Sequence, residues 1–258
     1  MGNSSITSDV LGQSEWALKM RHRLPQIARH RYPVVITGPP GSGKRFLAQV
    51  VHNESVRREQ PFVPIECGRL ASAELFASQV FGHEEGSFSG SRGSALGCLR
   101  AAGEGTVLLG NVNQLPLESQ GLLLDALKTG EFQPLGSEES VPLAARIMAT
   151  SEIDLQKEVA DCRFLSELYM FLEAISLFTV PLARRRVDIV PLARHFAALI
   201  AEDLGEPVKV FSPEAIELLR GYPWPGNITQ LQEAVEEAFV FSNEPVLSRE
   251  DFDFLKES

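Results

Sequence analysis

The chain has 258 residues, a net charge of −10 and 44% apolar residues, which suits one large domain or a domain with a smaller companion. No run approaches the roughly 18 apolar residues of a membrane span, and the start lacks a basic-then-apolar secretory pattern, so a cytoplasmic protein with no membrane partner is expected. An acidic domain is a poor non-specific binder of nucleic acid, and Cys67, Cys98 and Cys162 are too scattered, and odd in number, for a disulfide framework or zinc site.

Residues 14–30 are predicted helical, with Arg21, His22, Arg23, Arg29, His30 and Arg31 read as a solvated face rather than a DNA contact. Val34-Val35-Ile36-Thr37 is β-branched throughout and predicts a buried strand. A Gly/Pro loop follows at 38–43, then helical character over 46–51. Residues 62–65 predict a second strand in which Pro64 is awkward. Residues 72–80 are helical, and the Gly- and Ser-rich 82–93 predicts a loop or hairpin. Residues 106–109 give a third strand, 118–129 a helix with apolar positions at Leu122, Leu123, Ala126 and Leu127, 144–149 a fourth strand and 175–180 a fifth. Beyond Pro181 the pattern turns helical over 187–203, 212–220 and 227–241, with Ser212-Pro213 a good helix start. Strands alternating with helices indicate an α/β fold, a parallel sheet covered on both faces. A small helical domain follows, giving expected domains of 1–183 and 184–258.

Gly38-Pro39-Pro40-Gly41-Ser42-Gly43-Lys44 lies between a strand and a helix. In that setting backbone N–H groups wrap phosphates, glycines let the backbone approach the anion, and the lysine reaches the β- and γ-phosphates. The strict motif continues with Ser or Thr, whose hydroxyl holds magnesium; here that position is Arg45.

From Leu11 to about Leu255 the chain resembles the central AAA+ domain of bacterial enhancer-binding proteins, the activators of sigma-54 RNA polymerase. The resemblance is carried by Leu11-Gly12-Gln13-Ser14, the loop Gly38 to Lys44, Pro61-Phe62-Val63 with Cys67, Phe81-Gly82-His83-Glu84, Asp188-Ile189 with His195-Phe196, and Trp224-Pro225-Gly226-Asn227. Gly86-Ser87-Phe88-Ser89-Gly90-Ser91 is similar to the family's Gly-Ala-Phe-Thr-Gly-Ala loop, which touches the sigma factor. The resemblance implies a P-loop AAA+ domain with a helical lid. ATP or ADP would lie on Gly38, Pro40, Gly41, Ser42, Gly43, Lys44 and Arg45, with Leu11, Gly12 and Ile189 near the adenine. The implied partner is a protein, sigma-54 or an active AAA+ paralogue, with no direct nucleic-acid binding by this domain; a homo-oligomer is left open.

Several residues depart from the family's pattern. Where its third strand ends in Asp-Glu, this chain has Gly110-Asn111, with no carboxylate between Glu104 and Glu118. An asparagine cannot take a proton from water, and losing a positioned base costs about 10²–10⁴-fold in rate. The two arginines that face a neighbouring subunit's nucleotide correspond to Leu165 and Phe171; such an arginine is worth about 10³–10⁵ in turnover. Thr229 replaces the lid arginine, Ser151-Glu152 the sensor Thr-Asn, and Glu66 the switch Asn. No catalytic residue and no metal ligand is therefore assigned, and magnesium is expected to bind weakly or not at all. Three readings follow: a regulatory pseudo-ATPase that binds without turnover, a working ATPase that remodels sigma-54 polymerase, and a nucleotide-free interaction module.

Overall fold

The computed structural model describes residues 10–87 and 93–256. In chain order the elements are α1 (Glu15–Ala28), β1 (Val34–Thr37), α2 (Lys44–Asn53), β2 (Phe62–Glu66), α3 (Ala73–Val80), α4 (Cys98–Ala102), β3 (Thr106–Gly110), α5 (Leu117–Thr129), β4 (Glu131–Phe132), β5 (Val141–Pro142), β6 (Arg146–Ser151), α6 (Leu155–Ala160), α7 (Ser166–Leu172) and β7 (Ser176–Phe178). After them come α8 (Ile189–Leu204), β8 (Val210–Phe211), α9 (Pro213–Gly221), α10 (Asn227–Phe241) and β9 (Val246–Leu247), with short 3₁₀ turns between several elements. The chain divides into two compact units: Leu24–Gly38 with Lys44–Phe178, and residues 10–23 with Pro39–Gly43 and 179–256.

The first unit is built on a five-stranded sheet in the order β2-β3-β6-β1-β7. Every pairing in it is parallel. The apolar run of β1 and the fully buried β6 occupy its interior, as expected where helices cover both faces. Pro64 is accommodated because β2 is an edge strand, where a missing N–H breaks no second ladder. Ser72 caps α3, its hydroxyl accepting from the Leu75 amide. The apolar core under the sheet gathers Phe76, Val107, Leu109, Leu123, Ile147, Leu168 and Leu172.

Two strands differ from the sequence expectation. The fourth begins at Arg146 rather than Ala144 and runs on to Ser151. Residues 143–144 bond elsewhere, Leu143 N to Gly130 O at 2.8 Å and Ala144 N to Pro142 O at 3.2 Å, and Arg146 N is the amide that meets Gly105 O at 2.9 Å. The Arg146 side chain is buried and donates to the carbonyls of Ile27, in the last turn of α1, and Tyr32. The fifth strand is confined to Ser176–Phe178. Helices α6 and α7 and the two-strand pairs β4-β5 and β8-β9 are additions that the sequence pattern did not indicate.

The second unit packs α8, α9 and α10 around Trp224, Leu231, Val235, Phe239 and Phe252, all within 1% of full burial. The Trp224 indole donates to Leu219 O at 2.8 Å, which satisfies its one polar atom inside an apolar cluster.

Candidate nucleotide-binding site

Parallel strands deliver their loops to one edge of the sheet, and in open α/β sheets ligands sit outside those carboxyl ends. The Gly38–Lys44 loop leaves β1 at that edge. Because Thr37 lies beside Ser151 on β6, the Gly38 amide is held by Ser151 O at 3.1 Å. Within the loop Ser42 turns its hydroxyl back to Pro39 O at 2.6 Å. Lys44 opens α2, is 9% exposed, and donates to Gly38 O at 2.9 Å.

In the first unit, carboxylates surround Lys44. Its ammonium pairs with Glu152 Oε1 at 3.6 Å. Burial pulls the ammonium below its ordinary range, while Glu152 and, more weakly, Glu66 oppose that shift. Glu66 ends β2 directly beside Gly110 and accepts from Asn111 Nδ2 at 3.0 Å. A Cβ on Gly110 would stand only 2.6 Å from Glu66 Oε2, so that carboxylate occupies the space a longer side chain would need. Asn111 has a left-handed backbone, its amide bonded to Thr150 Oγ1 at 2.9 Å, and its Oδ1 is buried without a partner. Arg45 is exposed on the first turn of α2. In α7 and just before it, Leu165 packs against the core, whereas Phe171 is exposed.

In the second unit the entry segment and residues 179–229 grip the middle of the loop. Leu11 packs against the apolar cluster that contains Ile189. The fully buried Asp188 accepts from the amides of Gln13 at 2.6 Å and Ser14 at 2.8 Å and from the Ser14 hydroxyl at 2.6 Å. Gly12 is required here: its φ is +124° and any Cβ would collide with the Asp188 carboxyl. Asn227 is also buried, donating to Pro40 O at 2.8 Å and accepting from Leu182 N at 2.9 Å. The first amides of α10, Ile228 and Thr229, donate to Gly41 O. Gly41, at φ +66°, has no room for a Cβ against the Gly226 carbonyl. Arg185 adds a bond to Ser42 O at 3.0 Å and lies 4.3 Å above the Trp16 ring. Burial lowers its pKa to about 10, against the pull of Asp188. Ser42 Oγ meets Thr179 Oγ1 at 2.6 Å.

Of the residues expected to hold nucleotide, Gly38, Lys44 and Arg45 thus belong to the first unit, and Leu11, Gly12, Pro40, Gly41, Ser42, Gly43 and Ile189 to the second. Arg185 and Thr179 are additions; neither has a local signature, whereas Asp188 and Asn227 sit inside motifs visible in the sequence. In the expected partner loop, Gly86 and Ser87 are described, and Phe88, Ser89, Gly90 and Ser91 lie outside the described residues. The stem of that loop is pinned by reciprocal bonds between His83 and Ala95 and by Glu84 N to Leu135 O, each at 2.9 Å.

Residues 10–178 match the family model described as the sigma-54 interaction domain, and residues 183–255 that of the AAA+ ATPase lid domain. The chain belongs to the sigma-54 interaction domain family. The chain is 35% identical to the response regulator protein PilR of Pseudomonas aeruginosa, over 95% of the chain and 55% of the relative. It is 36% identical to the sigma-54-dependent transcriptional regulator SfnR of Pseudomonas fluorescens, over 88% and 62%. It therefore spans a little over half the length of these relatives. The crystal structure of NtrX from Brucella abortus in complex with ADP superposes with a TM-score of 0.84 at 27% identity, covering 93% of this chain and 54% of that one. NtrX has also been solved in complex with ATP. The sheet and helical unit are those of a P-loop AAA+ domain. Among the described residues no helix is long and apolar enough to cross a membrane.

Proposed function

We propose that this domain binds ATP or ADP on the Gly38–Lys44 loop and turns it over slowly or not at all, serving transcription control as a regulatory pseudo-ATPase. Its protein partner would be sigma-54 or an active AAA+ paralogue, met through the loop at Gly86–Ser91. The observation that carries this reading is the end of β3. Gly110 and Asn111 offer no carboxylate there, and the Asn111 side-chain NH2 donates to Glu66. The phosphate loop has the chemistry for its ligand, because it follows a parallel strand and ends in the buried ammonium of Lys44 at the start of α2. The donor set for a tightly held magnesium ion does not fit: neither the Arg45 side chain nor Gly110 supplies a side-chain oxygen. The Lys44 ammonium supplies charge for the phosphates.

Calorimetric titration of ATP and ADP tests the binding half. Heat of binding that disappears in Lys44→Ala supports the pocket, and unchanged affinity in that variant sinks it. No heat with the unaltered protein would leave a nucleotide-free interaction module.

Glu66 favours a second reading, in which hydrolysis is kept. It is a carboxylate at the end of the strand next to β3, bonded to an asparagine, and so has the chemistry of a general base. Phosphate release that is robust in the unaltered protein and lost in Glu66→Gln would establish that reading.

A further inference from the structure

The carboxylate on Lys44 bears on which nucleotide the loop prefers. A phosphate-loop lysine serves the β- and γ-phosphates, so any group lying on its ammonium competes with the terminal phosphate of a triphosphate. Glu152 is such a group, 3.6 Å from Lys44 Nζ. The residue before it is held from several sides. Ser151 pairs with Thr37 in the sheet and accepts from the Gly38 amide, and its hydroxyl bonds to Asn113 Oδ1 at 3.0 Å and Ile153 O at 2.6 Å. Glu152 is therefore delivered to the lysine by the register of β6 against β1.

We propose that Glu152 makes this a nucleoside-diphosphate site: its carboxylate takes the place of a terminal phosphate on Lys44, so that ADP is preferred to ATP. This rests on the nucleotide reading above. A γ-phosphate placed at Lys44 brings its negative charge against Glu152 and toward Glu66, which stands at the same edge of the sheet beside Gly110. The resemblance to the sigma-54 activators implies arginines at the positions of Leu165 and Phe171, where this chain carries no cation. Lys44 itself is buried, which limits screening, while Glu152 is about one-third exposed, which moderates the repulsion. One extra like charge at such a range in a half-screened site corresponds to about tenfold in affinity.

The test is calorimetry of the full chain with ADP and with ATP, each with magnesium and with a chelator, for the unaltered protein and for Glu152→Gln. Ligand-free thermal melts confirm that the variant is folded. The expected result is ADP binding about tenfold tighter than ATP, with Glu152→Gln raising ATP affinity about tenfold while ADP moves by no more than about threefold. Glu66→Gln shifts ATP in the same direction by a smaller factor. Equal affinities in the unaltered protein, or equal shifts for both nucleotides in Glu152→Gln, would overturn the preference. ATP binding tighter than ADP only with magnesium would also overturn it, because the carboxylates would then be bridging a cation to the phosphate. No binding of either nucleotide would overturn the nucleotide reading as well. Tight, equal binding of both would leave that reading standing and remove only this one.

Discussion

Replacing Asp188 by alanine should release the entry segment without unfolding the sheet. The buried carboxylate accepts three bonds, from Gln13 N, Ser14 N and Ser14 Oγ, at 2.6–2.8 Å. Bonds to a charged acceptor contribute about 1.5–3 kcal/mol each. They do not add fully, and the two amides regain water once the segment opens. The net loss is therefore about 2–4 kcal/mol. Arg21 still ties the segment down through Val10 O at 2.8 Å, so opening is local rather than complete. At about 1.4 kcal/mol per tenfold, protection of the amides near residues 10–17 against hydrogen exchange should fall roughly thirty- to several-hundredfold. Amides of β1, β3 and β6 should keep theirs. Exchange followed by peptide mass spectrometry reads both regions in one experiment. Undiminished protection of the entry peptide would refute the latch, and uniform loss across the sheet would refute its local character.

Asn227→Ala leaves the buried Leu182 amide unpaired and removes the donor to the carbonyl of the exposed Pro40, and the unfolding midpoint should report a loss of about 1–3 kcal/mol. An effect below about 0.5 kcal/mol, the range of an ordinary surface change, would mean those bonds are replaced by water. His52 is buried, its Nδ1 bonded to Thr106 Oγ1, and burial holds its pKa below the ordinary value. Its contribution is therefore present above the unfolded pKa of about 6.5 and lost as pH falls through the lower folded value. Urea midpoints measured from pH 8 to pH 5 should fall on the acid side, and His52→Gln should flatten that fall. Finally, Cys162 is exposed whereas Cys67 and Cys98 are buried, with burial pushing the Cys98 thiol up to about 12 and Cys67 higher still. A thiol-alkylating reagent at neutral pH should add once per native chain, at Cys162. Early modification of Cys67 or Cys98 would contradict the packing of the core.

The strands were legible because their signals are local. Val34–Thr37 is β-branched and bounded by Pro33 and Gly38, and it forms β1 without displacement. At Ala144 the apolar pattern misleads: Ala144-Ala145 extends the run that continues at Ile147, yet the Ala144 amide turns back to Pro142 O, and the ladder starts at Arg146. Pro64 looked anomalous only because a sequence does not say which strand lies at an edge. In the candidate site the glycine loop and Lys44 were readable for the same local reason. The residues that hold that loop were not. Asp188 acts 175 positions from Gln13, and Asn227 acts 187 positions from Pro40, bonds that no window along the chain contains. The pairing of Lys44 with Glu152 is equally a consequence of β6 lying beside β1.

Nucleotide binding with little or no turnover is tested by phosphate release under saturating ATP, on the same sample whose binding has been measured by calorimetry. The expected result is bound nucleotide with release indistinguishable from the Lys44→Ala control. Sustained release well above that control, abolished in Glu66→Gln, would contradict it and identify Glu66 as the working carboxylate.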